Sequence, residues 1–330
     1  MARPLELVLL LALPASGKSE VRKYLATLSG DEALSDFHLG ETVQLDDYPY
    51  VHMMRRISEE LRARGQGGVF FRSSDEPMID TKDWGTLIEL VNEDYEDLRR
   101  QPRIAPASAA AWLLDRFDAA RTKVGAEPKF AGLDARVRAE LHDVLEAEAR
   151  QLLDDKLTEM QRGRDLSDKT IVIEFARGGP DGATLPLPAP LGYEYSLAQL
   201  SDAILERASI LYIWVTPEES RRKNEARAKP GPDGDASILH HGVPRRVMLE
   251  DYGTDDMTYL METSDRLGTV RVATRGRAFH LPAARFDNRI DKTSFIREDR
   301  MRWAPADERA IHDGLKEAFE RLTATHPEPD

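Results

Sequence analysis

Leu5-Glu6-Leu7-Val8-Leu9-Leu10-Leu11-Ala12-Leu13 runs directly into Pro14-Ala15-Ser16-Gly17-Lys18-Ser19, and Glu20-Val21-Arg22-Lys23-Tyr24-Leu25-Ala26-Thr27-Leu28 follows. All but one of the first nine residues are apolar, the pattern of a strand buried on both faces. Val21, Tyr24, Leu25 and Leu28 recur at helical spacing, so the last segment reads as a helix that packs one face on a sheet. The residues between them turn the chain from strand end to helix start. Backbone N–H groups converge at such a point and the helix dipole favours negative charge, which makes it a place for phosphate oxygens.

Written as ALPASGKS, residues 12–19 match the phosphate-loop pattern G-x-x-x-x-G-K-[ST], except that Ala12 replaces the first glycine. A methyl group is tolerated there if the backbone does not need positive φ. Pro14, Ala15, Ser16, Gly17, Lys18 and Ser19 are the expected nucleotide-binding residues. Gly17 lets the main chain approach, Lys18 reaches the terminal phosphates, and the Ser19 hydroxyl takes one position on a bridging magnesium ion. Gly-Lys-Ser occurs by chance in long chains; the strand before it and the helix after it give it weight.

At 330 residues and 41% apolar content the chain has enough material for a large core plus an insertion. Its net charge of −13 argues against general binding of a nucleic-acid backbone and for a small substrate. Segment 266–303 runs against this trend, with ten Lys/Arg and four Asp/Glu. The absence of cysteine excludes disulfides, thiol catalysis and cysteine metal sites. The apolar run near Met1, about nine residues long, is too short to cross a bilayer, so no membrane is expected and the expected location is cytoplasmic.

A second strand is expected over 41–45, after a loop opening at Gly30, and it ends in Asp46-Asp47-Tyr48-Pro49. Ligands of open parallel sheets lie at the carboxyl ends of strands. Asp46 is therefore read as general base, hydroxyl orienter or magnesium ligand, with Asp47 on the opposite face; a plain turn has the same composition. Arg72 is a further anion candidate. Helices are expected over 50–64, 86–100, 108–122 and about 133–160, the last roughly 42 Å long. Residues 83–166 then form a helical insertion or cap, with the core in two parts, 1–82 and 167–330.

Residues 170–175 read as a strand ending in Glu174, placed as a magnesium-binding carboxylate would be, with Arg177 in the loop beyond. A helix over 196–208 and a buried strand over 209–215 follow. Thr216-Pro217-Glu218-Glu219 then starts a helix over 217–229 that carries Arg221, Arg222, Lys223 and Arg227. The same residues allow a solvated helix with Glu218–Arg222 and Glu219–Lys223 pairs. His240-His241 lack the spacing of a metal site. A helix from Asp255-Asp256 to Arg266, a hairpin over 268–277, a last core strand over 282–288 and a closing helix over 306–323 complete the expected order.

A phosphate loop, an acid pair after the second strand, a strand ending in a carboxylate and a strand-Pro-Glu-Glu-x-Arg-Arg helix together resemble the P-loop kinases of small molecules and nucleic-acid ends. Zeta-toxin-like and polynucleotide-kinase-like enzymes share this core, and the residues do not choose between them. The resemblance covers about 1–50 and 168–290. It implies an α/β fold with a three-layer P-loop NTPase core, a parallel sheet and a helical insertion, acting as an ATP/Mg²⁺-dependent kinase on a small-molecule hydroxyl. It further implies a lid helix whose Arg221 and Arg222 stabilise the transferred group. Asp287 and Asn288, after the last core strand, would lie near the nucleotide base. Two alternatives stay open: a polynucleotide 5′-hydroxyl kinase, and an ATP-binding regulatory NTPase whose insertion engages a protein partner.

Overall fold

The structure, a computed structural model, describes residues 3–227 and 242–325. His240, His241 and the end of the helix expected over 217–229 lie outside the described residues. Six strands form one sheet among them: β1 (Leu7–Leu11), β2 (Glu41–Asp46), β3 (Lys169–Phe175), β4 (Ala208–Trp214), β5 (Thr269–Ala273) and β6 (Ala278–Asp287). Their order is β2-β3-β1-β4-β6-β5. All neighbours run parallel except β5, which pairs antiparallel with β6 at one edge.

The twelve α-helices among the described residues are α1 (Lys18–Leu25), α2 (Gly30–Phe37), α3 (Tyr48–Ala63), α4 (Asp83–Arg100), α5 (Ala109–Lys123), α6 (Ala135–Arg162), α7 (Gly192–Ala198), α8 (Asp202–Leu205), α9 (Pro217–Arg227), α10 (Arg245–Glu250), α11 (Met257–Thr263) and α12 (Pro305–Thr325). β1 is buried at every position, and its alternation sorts the layers. Leu7, Leu9 and Leu11 face a core shared with Ile88, Val91 and Tyr95 of α4 and Tyr193 and Leu197 of α7. Val8 and Leu10 face Val21 and Tyr24 of α1 and Ile311, Leu315 and Phe319 of α12. The molecule is thus a three-layer α/β fold.

A third core lies in the helical layer between β2 and β3. Tyr50, Met53, Ile57 and Leu61 of α3 pack with Leu113 and Phe117 of α5 and Leu141 and Leu145 of α6. α3 thus packs with the helices of segment 83–166, and α4 serves two cores, one face on the sheet and the other on the helices. No helix among the described residues is long and apolar enough to cross a membrane.

Three local expectations change. Gly30 opens α2 rather than a loop, because Ser29 and Glu32 form a reciprocal capping box. The helix expected over 196–208 divides into α7 and α8, and Ala208 already belongs to β4. α7 starts at Gly192 (φ 75°), where Asp256 accepts the N–H groups of Tyr193 and Glu194 at 2.6 and 3.1 Å. Asn92 holds the break between α7 and α8 by bonding Gln199 O and Ser201 N. Finally, the expected hairpin and last core strand share β6, whose first half pairs with β5 and second half with β4.

Candidate functional site

Residues 12–19 join the end of β1 to the start of α1. β1 is also where the chain order reverses: β2 and β3 lie on one side, β4 and β6 on the other. Crevices at the carboxyl ends of strands at such a reversal are the usual ligand sites of open α/β sheets. Gly17 has φ 105° and Ala15 φ 56°, whereas Ala12 is outside the left-handed region. The replaced glycine therefore costs no backbone strain; the strain sits at Ala15.

The loop is braced from three directions. Ser16 Oγ donates to Leu13 O at 2.6 Å. Ser220 on α9 donates to Pro14 O at 2.7 Å. Asn288, fully buried after β6, donates to Ser16 O at 2.8 Å and to Thr293 Oγ1 at 2.9 Å. Asn288 is thus a brace for the loop, and Asp287 is occupied by Arg289 at 2.8 and 2.9 Å.

Four charged side chains meet beside the loop. Asp46 and Glu174 stand in register on adjacent strands, so their side chains share a face. Lys18 Nζ donates to Ala12 O at 3.2 Å and lies 4.0 Å from Glu174 Oε1. Arg22, one helical turn after Lys18, comes within 3.0 Å of Glu174 Oε2 and 3.9 Å of Asp46 Oδ2. Its approach to Oε2 lacks hydrogen-bond geometry, so this buried oxygen is left without a donor. Burial, then the neighbouring Glu174 and Asp47 carboxylates, push the Asp46 carboxyl up to about 8. Burial likewise lowers the Lys18 ammonium, against the pull of Glu174 and Asp46. A raised acid and a lowered base at one place are the marks of a site short of positive charge and water. Ser19 is partly buried on the first turn of α1; it, Asp46 and Glu174 carry oxygen donors only, the type that suits magnesium rather than a soft metal. Among the described residues no three His, Asp or Glu side chains converge as a ready-made metal cluster.

No family model, curated protein or solved structure matches this chain. The chemistry of the site is accordingly read from its own geometry.

Other expected residues fall elsewhere. Arg177 is buried and bound to Asp47 at 2.6 Å, with Ser196 Oγ accepting at 3.0 Å, so it organises the wall of the site instead of facing solvent. Arg72 is exposed. On α9, Arg221 pairs with Asp181 at 2.9 Å and Glu218 at 3.3 Å, and Arg222 pairs with Glu219 at 2.6 Å and Asp291 at 3.4 Å. The two pairs within the helix, Glu218–Arg221 and Glu219–Arg222, are i,i+3 in place of the expected i,i+4 ones. The inward basic residue of α9 is Lys223, 1% exposed and 2.9 Å from Asp291; Arg227 binds Glu20 at 3.1 Å. Sequence reasoning passed over Arg22, and it placed Lys223 only in a solvent-facing pair with Glu219. For Arg22 the signal was present, since i,i+4 from Lys18 places both on one helix face.

Proposed function

We propose that the chain is an ATP- and Mg²⁺-dependent kinase that phosphorylates a hydroxyl of a small molecule, built on a P-loop NTPase core. One observation carries this reading: the Gly17-Lys18-Ser19 turn ends the central strand at the sheet's reversal point, and two in-register carboxylates from the next two strands stand beside its lysine. A nucleotide-binding loop alone needs no such pair.

In this reading the loop amides and Lys18 hold the phosphates, and Ser19 with Glu174 holds the magnesium ion, which supplies charge neutralisation at the transferred group. Asp46 orients the acceptor hydroxyl and takes its proton; a carboxyl pushed toward neutrality is a stronger base than an exposed aspartate. Arg221 and Arg222 are assigned charge stabilisation over the reacting group, which requires them to leave their acid partners. That pairing favours a second reading, a switch or regulatory NTPase that hydrolyses ATP without an acceptor.

Incubation with γ-labelled ATP, Mg²⁺ and a pooled metabolite extract separates the two. The kinase reading expects label on an organic acceptor with wild type and none with Lys18→Ala or Asp46→Asn. Label recovered only as free phosphate, with Asp46→Asn behaving as wild type, contradicts it.

A further inference from the structure

Arg55 lies on α3 and is partly buried. Its neighbours in sequence are saturated: Arg56 binds Glu59, Glu60 and Glu148, and Arg64 binds Glu60 and Glu140. Among the described residues no carboxylate forms an ion pair with Arg55, in a chain with 59 acids. Its guanidinium instead rests over the Phe71 ring, 4.1 Å from the centroid, and Nη1 donates to Ser74 O at 2.9 Å. The ring and the carbonyl fix the plane of the fork, while its other donors have no acceptor among the described residues. Burial lowers the Arg55 pKa, the consequence of a cation held from water without an anion.

Arg55 is also connected to the Asp46 site. α3 begins at Tyr48, directly after the acid pair, and Arg55 is seven residues on, on the same helix face and about 10 Å away. Tyr48 is half exposed. Between them Tyr252, 8% exposed, interacts electrostatically with Asp251, Arg177, Asp47 and Arg55. Its ring meets Trp84 edge-on at 5.6 Å, and Arg177, the partner of Asp47, lies over Trp84 at 5.1 Å. The buried Trp84 Nε1 has no partner among the described residues. An aromatic path therefore leads from the acids to an arginine that lacks an anion. The acids nearest Arg55 are Asp251 and Glu59. Asp251 is buried and accepts from Met78 N at 3.3 Å.

We propose that Arg55 is the anion-recognition residue of the acceptor surface, and that the acceptor carries a carboxylate or phosphate in addition to the hydroxyl presented at Asp46. A planar fork pinned against Phe71 receives either group bidentately, and the half-exposed Tyr48 offers a flat face to the part of the ligand in between. The word acceptor rests on the kinase reading. The anion site does not, so the two are tested apart.

The full chain, labelled with ¹⁵N at arginine and held with Mg²⁺ and a non-hydrolysable ATP analogue, is titrated with inorganic phosphate and separately with acetate. The Arg55→Lys spectrum identifies the Arg55 Nε–H signal. A saturable shift of that signal supports the proposal, and the probe that produces it tells phosphate from carboxylate. A signal unmoved by both probes overturns it. In a second arm, the metabolite extract is divided by anion exchange before labelling. The expected acceptor lies in the retained fraction, and Arg55→Gln raises its KM about tenfold to a hundredfold, as loss of charge-assisted hydrogen bonds does, with kcat far less affected. Arg55→Lys recovers part of this, and unchanged thermal unfolding of both variants excludes misfolding. An acceptor found only in the unretained fraction overturns the proposal. No labelled acceptor in either fraction defeats the kinase reading, while the titration still decides the anion site.

Discussion

At Gly17 a single methyl group meets two obstacles. The backbone is left-handed at φ 105°, and a Cβ would stand 2.5 Å from Thr293 Oγ1 and 2.9 Å from Asn288 Nδ2. Gly17→Ala is expected to destabilise the protein by about 2–4 kcal/mol in denaturant unfolding and to abolish any thermal shift caused by ATP. Ala15→Gly, which relieves φ 56°, is expected to be neutral or stabilising by up to about 1 kcal/mol. The motif marked Gly17 correctly as a position of close backbone approach. It drew attention to Ala12, however, and the strain is at Ala15, because torsion angles within a loop are set by its braces and the distant ones come from residues 220 and 288. Asp46 gives a pH signature. Its carboxyl titrates near 8 in the folded chain and near 4 unfolded. The folded state therefore binds the extra proton between those values, and stability falls as pH rises from about 4 to 8. Asp46→Asn removes that loss. The nucleotide-free variant should unfold at a higher temperature than wild type at pH 8 and near-equally at pH 4. The gain should be about 1–2 kcal/mol, well below the full linkage value because 27% of the side chain still meets water.

Among the elements, the β2–β3 register has the largest consequence, since a slip of one residue would send Asp46 to the opposite face from Glu174. The buried apolar runs and their terminal acids made β1, β2, β3 and β4 legible, and the 3.6-residue periodicity gave α4, α5 and α6 nearly to their ends. Where expectation failed, the deciding contact was distant in sequence. α7 is capped by Asp256, more than sixty residues later, and Asn92 of α4 sets its end. α2 is the exception, for its Ser29–Glu32 capping box was local and readable. The helical unit is joined by a buried polar network that periodicity does not reveal. Asp94 of α4 accepts from Tyr50 of α3 at 2.6 Å, Arg116 of α5 at 2.7 Å and Lys156 of α6 at 2.5 Å. Asp94→Ala removes the acid shared by two cations that are 5% and 6% exposed, leaving Arg116 with Glu93 and Lys156 with Asp97, and should cost about 1–3 kcal/mol in chemical denaturation. Because α3 starts at the acid pair, the same variant is expected to loosen the wall of the site as well as the helices.

At the scale of the molecule, three layers and a sheet with its reversal at β1 bring residues 18, 22, 46 and 174 together from three separate stretches of chain. The order of elements disclosed the layers. The sheet order was not open to sequence reasoning, because which strand lies beside β1 depends on crossovers of up to about 120 residues. The net charge of −13 is compatible with a small anionic ligand only where local cations collect, as Lys18 and Arg22 do beside Glu174. All of the proposed chemistry presupposes that the Gly17-Lys18-Ser19 turn holds a nucleoside triphosphate. Calorimetric titration of the full chain with ATP in the presence of Mg²⁺, beside Lys18→Ala and Gly17→Ala, tests this most directly. Saturable one-to-one binding by wild type, lost in both variants, is the predicted result; no binding by wild type, or equal binding by Lys18→Ala, would contradict it.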